Sequence, residues 1–373
     1  MKIGILGTRG IPNAYGGFEQ FAQYLALGLF NRGHEVYVYN SDNHPFQESR
    51  WNGIHLVHCW DPEGSIGTAG QFIYDFNCLR DARKRKFDIL LQLGYTSNSI
   101  WHWWWPGGDT VNVVNMDGLE WMRSKYGWLT QRFLQSAERW AARHGDVLIA
   151  DSPGIQEYVA RKYGRESIYI PYGANIPEGY DETLLCKWSL EPFRYFLLVA
   201  RMEPENNIEM IIRGYLASHK PHPLIIVGNP GNKFGAALME KYRDENIRFI
   251  GAVYDTDMID NLRHYSALYF HGHSVGGTNP SLLEAMACGC NIAAHENVFN
   301  RAVLTDCADY FSGYQDIAAI IDRDTGKAIA GRRRERNMEK IKTLYNWETI
   351  VDQYEQVFLA QTVGLQYQNG EAL

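Results

Sequence analysis

Short apolar runs alternate with stretches of helical period along the whole chain, the pattern of parallel α/β domains. The strand Lys2–Gly7 leads through a Gly-rich loop into a helix from about Gly17 to Arg32. Strands are predicted at His34–Asn40, Ile54–His58, Asp88–Leu93, Thr110–Asn115, Asp146–Ala150 and Ser167–Ile170. Helices fall near Ala69–Lys86, Leu129–Arg143 and Pro153–Tyr163. The alternation then restarts with the strand Tyr195–Ala200, the loop Arg201–Asn206 and a helix Ile208–His219. Strands Leu224–Gly228, Ile247–Ile250 and Leu268–His271 follow, with a helix Asp255–Tyr265 before the last of them. Two nucleotide-fold halves joined near Pro171–Pro192 predict domains 1–175 and 176–345, with a C-terminal element 346–373. Ligands of parallel sheets bind at the carboxyl ends of the strands, so the Gly-rich loops of both halves are expected to face a cleft. In the C-terminal element, Trp347, Ile350, Val351, Tyr354, Val357 and Phe358 mark one face of an amphipathic helix.

The stretch from His271 to Cys290 carries the strongest chemical signal. A Gly-rich loop containing Gly276, Gly277, Thr278 and Asn279 runs into a helix opened by Pro280. Asn279 suits the N-cap and Pro280 the first turn. Glycines let backbone N–H groups approach a ligand, and a helix N-terminus attracts negative charge. Glu284 follows one turn further in, placed to accept from hydroxyls. An anion site beside a carboxylate suits a sugar nucleotide; a Gly-rich turn into a buried helix is the plainer alternative.

This segment resembles the donor-binding signature of retaining family 4 glycosyltransferases, which have the GT-B fold. The family usually carries two glutamates separated by seven residues; Glu284 matches the second, and Gly276 stands at the first. Arg201-Met-Glu-Pro-Glu-Asn206 resembles the family's Arg, Pro-Glu, Lys pattern, in which Arg and Lys clamp the donor diphosphate. Arg201 matches, Glu205 would orient it or hold the donor, and Asn206 stands at the Lys position. A guanidinium binds phosphate bidentately. With that Lys missing, the backbone amides of Gly276–Asn279 are expected to carry more of the phosphate load. Without the first glutamate the pocket suits a less polar sugar such as a 6-deoxyhexose, and His271 or His273 offers a replacement contact; a structural histidine is the alternative.

In the first half, Gly4-Ile-Leu-Gly-Thr-Arg-Gly10 does not match the dinucleotide fingerprint GxGxxG, and Tyr39-Asn40 rather than an acid ends the second strand. A nicotinamide oxidoreductase is therefore disfavoured. Gly16 and Gly17 open the following helix, a second anion-friendly end; in the family this Gly-Gly lies near the donor diphosphate. Tyr15-Gly-Gly-Phe-Glu19 with Asn115-Met-Asp-Gly-Leu-Glu-Trp121 looks like a bacterial branch of the family that includes rhamnosyltransferases of cell-surface polysaccharide assembly. Asp117 and Glu120 follow a strand and could accept an acceptor proton or hold a sugar hydroxyl; an Asp-Gly turn and a helix cap are the alternatives. The resemblance implies two Rossmann-like domains facing each other across a cleft, with the last helix crossing back to the first domain. It further implies retaining transfer from a nucleotide-sugar donor, with L-rhamnose from a dTDP donor one candidate, to a glycan or lipid-linked glycan acceptor. Same-fold rivals are a sugar-nucleotide 2-epimerase and a catalytically silent sugar-nucleotide-binding subunit.

Composition narrows the partners. The net charge of −7 argues against nucleic acid. Six cysteines without a CxxC pair point to a reduced, cytoplasmic setting. No metal-ligand spacing and no cofactor motif are present, so metal-independent chemistry is expected. The start Met-Lys-Ile-Gly-Ile-Leu-Gly reads as a strand rather than a signal peptide, and no run reaches membrane-spanning length. Two basic clusters remain, Arg80 with Arg83–Lys86, and Arg332–Arg334 with Arg336. They are solvated faces or docks for anionic lipid, and the run Trp101-His-Trp-Trp-Trp105 suits peripheral contact with an anionic membrane, packing on a sugar or, equally, burial in the N-terminal core.

Overall fold

The computed structural model describes residues 1–14, 16–116, 118–123, 125–219, 222–323 and 327–368, with side chains from 363 onward and that of residue 327 left aside. The chain divides into two compact units. One holds 1–121, 127–172 and the C-terminal segment from Trp347; the other holds Met122–Tyr126 and Gly173–Asn346.

The first unit contains, in chain order, β1 (Lys2–Leu6), α1 (Gly17–Asn31), β2 (Glu35–Ser41), β3 (Arg50–Trp51), β4 (Ile54–Cys59), α2 (Glu63–Ile66), α3 (Gly70–Arg85), β5 (Ile89–Leu93), β6 (Val111–Asn115), α4 (Trp128–His144), β7 (Val147–Ala150), α5 (Pro153–Tyr163) and β8 (Ile168–Tyr169). Among the described residues they form one sheet ordered β3-β4-β2-β1-β5-β6-β7-β8, parallel except for β3. Strands buried on both faces need unbroken apolar runs, which Ile3, Ile5, Leu6 and Ile89–Leu91 supply at 0% exposure. The short antiparallel β3 is an addition to the predicted strands. The helix expected near Ala69–Lys86 is preceded by α2 and a 3₁₀ turn Gly67–Ala69.

The second unit runs β9 (Phe196–Val199), α6 (Ile208–Leu216), β10 (Leu224–Val227), α7 (Lys233–Lys241), β11 (Ile247–Gly251), α8 (Thr256–His264), β12 (Leu268–His271), α9 (Pro280–Ala287), β13 (Ile292–His295), α10 (Val298–Leu304), β14 (Asp309–Phe311), α11 (Tyr314–Asp322) and α12 (Lys327–Thr343). Its described strands form a parallel sheet ordered β11-β10-β9-β12-β13-β14. The order reverses between β9 and β12, the point where open α/β sheets leave a crevice at the strands' carboxyl ends. Phe196, Leu198, Leu224, Ile226 and Phe270 from the sheet pack on Ile208, Ile211 and Ile212 of α6. α6 stops three residues short of the predicted His219, at Leu216, and Ala217 N–H and Ser218 N–H turn back to Arg213 O and Tyr215 O.

The final helix α13 (Trp347–Gln368) packs within the first unit. Trp347 stacks on Tyr24 with ring centroids 4.6 Å apart, and Phe21 meets Tyr354 at 5.4 Å. Gly28 is glycine because a Cβ there would fall 2.5 Å from Val351. His34 and Glu355 are hydrogen-bonded at 2.7 Å on the rim of this contact. The fold is thus α/β with two parallel-sheet units, as the strand alternation predicts.

Candidate functional site

The loops after β9 and β12 meet at the second sheet's reversal point. Gly272 has no room for a Cβ, which would lie 2.0 Å from Asn206 O. The close approach lets Asn207 Nδ2 donate to Gly272 O (2.8 Å), while Ser274 N–H and Oγ–H both donate to Glu205 O (3.0 and 2.8 Å). Asn206 closes the stitch, with its amide nitrogen donating to Arg201 O (2.8 Å) and its amide oxygen 2.9 Å from His273 Nδ1. Gly228 after β10 is similarly constrained, since a Cβ would meet Ala200 O at 2.1 Å. Asn232 caps α7 through Gly235 N–H and donates to Met202 O (2.6 Å), so the Asn229–Gly231 turn adjoins the same loops.

Arg201 stands exposed on this rim, and its guanidinium has no partner among the described residues. Glu205 is its opposite: the side chain is 3% exposed and neither carboxylate oxygen has a hydrogen-bond partner among the described residues. His273 is held neutral, its pKa lowered to about 3 by burial and then by the nearby Arg123 and Arg201. His271, buried beside His273 and His295, is likewise lowered to about 3, mainly by burial. The Asn206 contact fixes the His273 ring, and its Nε2 lies 3.0 Å from where a Cβ of Gly276 would sit. Gly276 has φ +132°, a left-handed conformation that favours glycine.

Gly276, Gly277 and the buried Thr278 lead into α9. Asn279 is the N-cap, accepting from Ser281 N–H at 2.9 Å, with Pro280 in the first turn, as the sequence predicts. Glu284 lies one turn in and is bound to Arg263 of α8, with Oε2 2.5 Å from Nη2. Arg263 is 4% exposed and also reaches Asp260 Oδ1 at 3.0 Å. Burial opposes the Arg263 charge, but Glu284 and Asp260 outweigh it and hold the guanidinium charged. Glu284 keeps 27% of its side chain exposed while the pair fixes its rotamer. Sequence reasoning missed Arg263, because no motif marks an ion pair between residues 21 positions apart.

In the first unit the loop after β1 is pinned by Asn40 at the end of β2. Its oxygen accepts from Ile11 N–H (3.1 Å) and its nitrogen donates to Ile11 O (2.8 Å). A ribose-binding acid belongs there in a dinucleotide fold; here the amide is consumed by backbone. Gly16 is the N-cap of α1 and Gly17 its first residue, and Glu19 of the first turn accepts from Arg9 N–H at 2.9 Å. Glu120 opens a 3₁₀ turn Glu120–Met122 and is half-buried. Tyr15 and Asp117 lie outside the described residues. A cavity of about 410 Å³ near His102, His144 and Asp146 sits at the amino ends of β6 and β7, the opposite end from these loops.

Of the basic residues at the end of α3, Arg80, Arg83, Lys84 and Lys86 are exposed, and Arg85 is paired with Asp81. The expected five-charge patch is therefore four. Trp101–Trp104 form a 3₁₀ helix with Ser99 and Ile100, and Arg83 lies over Trp104 with its guanidinium carbon 4.9 Å from the ring centroid. Trp103 and Trp104 are 58% and 38% exposed, so the tryptophan run and basic helix end share one surface. Trp105 is instead buried. In the other cluster Arg333 and Arg336 are paired with Asp309 and Asp306, which removes much of its free charge. All six cysteines are unpaired. Among the described residues no group of side chains is arranged to hold a metal ion, and no helix is long and apolar enough to cross a membrane.

Residues 1–175 match a domain of unknown function, DUF1972, and residues 187–322 match Glycosyl transferases group 1. No curated protein matches the chain. Solved structures resemble it over nearly its whole length. Sucrose-phosphate synthase from Thermosynechococcus elongatus is 17% identical with TM-score 0.79, over 97% of this chain and 99% of that one. HepE from Anabaena, solved in complex with UDP and glucose, is 16% identical with TM-score 0.73, over 96% and 100%. WaaG, a glycosyltransferase involved in lipopolysaccharide biosynthesis, is 16% identical with TM-score 0.71, over 94% and 99%. The chain thus has the GT-B fold of these proteins, and its residues 187–322 are similar to the group 1 glycosyltransferases.

Proposed function

We propose that the protein is a retaining, metal-independent glycosyltransferase that moves a sugar from a nucleotide-sugar donor to a glycan or lipid-linked glycan acceptor. The observation that carries this reading is the pair of loops stitched together at the second sheet's reversal point. They bring an exposed Arg201, a neutral His273 and the capped start of α9 to the place where a parallel sheet binds ligands. The group 1 match over 187–322 and HepE's complex with UDP support a nucleoside diphosphate there.

The chemistry follows from that placement. The bond from the donor's anomeric carbon to its phosphate oxygen breaks, and a bond from the acceptor hydroxyl oxygen forms on the same face. The hydroxyl proton passes to the leaving diphosphate. Arg201 and the Gly276–Asn279 backbone stabilise the charge that develops on that diphosphate. Glu284 holds the donor's pentose, in the rotamer set by Arg263. Gly16 and Gly17 contribute to the diphosphate site, Asp117 and Glu120 to the acceptor side. His273 contacts the donor sugar where the family's first glutamate is replaced by Gly276, which favours a less polar sugar such as L-rhamnose from dTDP-rhamnose.

Incubation with a panel of sugar nucleotides, with and without acceptor, tests the reading. Acceptor-dependent release of nucleoside diphosphate is expected. Epimerised donor without acceptor would mark a 2-epimerase, and binding with neither product a silent subunit. In the same assay Glu284→Gln should weaken donor binding by roughly 1.5–3 kcal/mol. Asp117→Asn should suppress transfer with nucleotide affinity nearly intact.

A lipid-linked acceptor would place the enzyme at the cytoplasmic face of a membrane. Arg80, Arg83, Lys84 and Lys86 with Trp103 and Trp104 give the first unit a basic, aromatic surface suited to anionic headgroups. Sedimentation with phosphatidylglycerol vesicles at low salt, release at high salt, and loss on neutralising Arg80, Arg83, Lys84 and Lys86 are expected. Equal binding to phosphatidylcholine vesicles would remove the electrostatic account.

A further inference from the structure

Asn206 stands where a lysine would complete the diphosphate clamp, and its amide is spent on Arg201 O and His273. The second unit nevertheless holds another cation at this place. The short segment Met122–Tyr126, far away in sequence, belongs to the second unit. Two ion pairs tie it to the loop after β9. Lys125 Nζ lies 3.5 Å from Glu203 Oε1, and Arg123 Nη1 lies 3.8 Å from Glu205 Oε1.

The Arg123 pair has an unusual form. Both side chains are withdrawn from solvent, Arg123 at 13% and Glu205 at 3% exposure. At 3.8 Å the contact is beyond hydrogen-bond reach, and both Glu205 oxygens are without a hydrogen-bond partner among the described residues. A buried carboxylate left in this state is costly unless it has a task. Here it stands as a counter-charge 3.8 Å from the guanidinium. Arg123 and Arg201 both lie near enough to His273, the ring that adjoins Gly276, to oppose its protonation.

We propose that Arg123 is the second cation of the donor's diphosphate site, taking the part of the missing lysine, with Glu205 as the counter-charge that positions it. This rests on the reading of the site as a nucleotide-sugar site and adds a residue from a remote segment of the chain. A guanidinium from this position would serve the diphosphate bidentately, which a lysine at 206 could not.

Calorimetry with UDP and dTDP, and with UMP and dTMP, decides it. The wild-type protein should bind a diphosphate more tightly than its monophosphate. Arg123→Gln should weaken diphosphate binding about tenfold or more and change monophosphate binding little, so that the preference collapses. Arg123→Lys should retain part of the preference, which guards against misfolding of the Gln variant. If Arg123→Gln lowers the melting temperature but leaves the preference intact, Arg123 is only a partner for Glu205 and the proposal falls. If the wild-type protein itself shows no diphosphate preference, the nucleotide-sugar reading falls and takes this proposal with it.

Discussion

Arg201→Ala should lower turnover about a hundredfold or more while leaving the protein as stable as the wild type. The two halves of that expectation come from different observations. Arg201 is exposed and its guanidinium has no partner among the described residues, so its removal breaks no internal contact. Surface changes of that kind stay within about 0.5 kcal/mol of stability. The activity effect follows from where charge develops. The diphosphate becomes more negative as the sugar leaves, so a cation there binds the transition state more tightly than the bound donor. Loss of one preorganised donor of this sort costs about 100- to 1,000-fold in turnover. The Michaelis constant for donor should move much less than kcat. A variant with wild-type kcat, or one whose loss lies wholly in the Michaelis constant, would shift the role of transition-state stabilisation to Arg123 and the backbone amides.

The residues that were legible in the sequence are those whose job is local. The strand Leu268–His271, the Asn279 cap, Pro280 in the first turn and the helix Pro153–Tyr163 all follow from near-neighbour chemistry. The predicted α/β alternation is present in both units for the same reason, since each buried strand carries its own apolar run. The helices α7, α10, α11 and α12 were not predicted, and two strands were too short to show a period. β13 is only Ile-Ala-Ala-His and β3 only Arg-Trp, and neither outweighs its flanking residues. The site's electrostatics were legible in part. Arg201 and Glu284 sit in motifs, whereas Arg123 and Arg263 gain meaning from partners 82 and 21 positions away (123 to 205, 263 to 284). Asn206 and Gly276 read as two losses in the sequence. In the folded unit they are joined through His273, whose Nδ1 faces the Asn206 amide and whose Nε2 adjoins Gly276. The departures are thus in contact with one another rather than independent. Asn40, unexplained as a strand end, holds the backbone of Ile11.

The buried histidines beside Asn206 and Gly276 should make the second unit sensitive to acid, by an amount large enough to separate the two units. His271 and His273 have folded pKa values near 3 against an ordinary 6.5, first because both are buried. His271 faces His273 and His295, and His273 faces Arg123, Arg201 and His295, none of which welcomes a proton. A depressed pKa means that the unfolded chain binds more protons than the folded one. The stability these groups lend is complete above 6.5 and is lost as the pH falls from there toward 3. Between pH 7 and pH 5 the loss is about 2 kcal/mol for each histidine. The first unit contains a group of opposite sign. Asp75 is buried on α3 and its pKa is pushed up to about 7, chiefly by burial. A raised carboxyl destabilises the fold when ionised, so acid relieves it by about 2 kcal/mol over the same interval. His55 and His144 of that unit are also lowered, mainly by burial, but both lie nearer solvent and offset only part of the gain. Hydrogen exchange at pH 7 and pH 5, corrected for intrinsic rates, should therefore show β9 and β12 losing protection while β1 and β5 keep theirs. His273→Gln should remove about half of the loss in β9 and β12, and Asp75→Asn should abolish the relief in the first unit. Undiminished protection of β9 and β12 at pH 5 would mean that the buried histidines accept protons without cost, and the neutral His273 assigned to the donor corner would have to be given up.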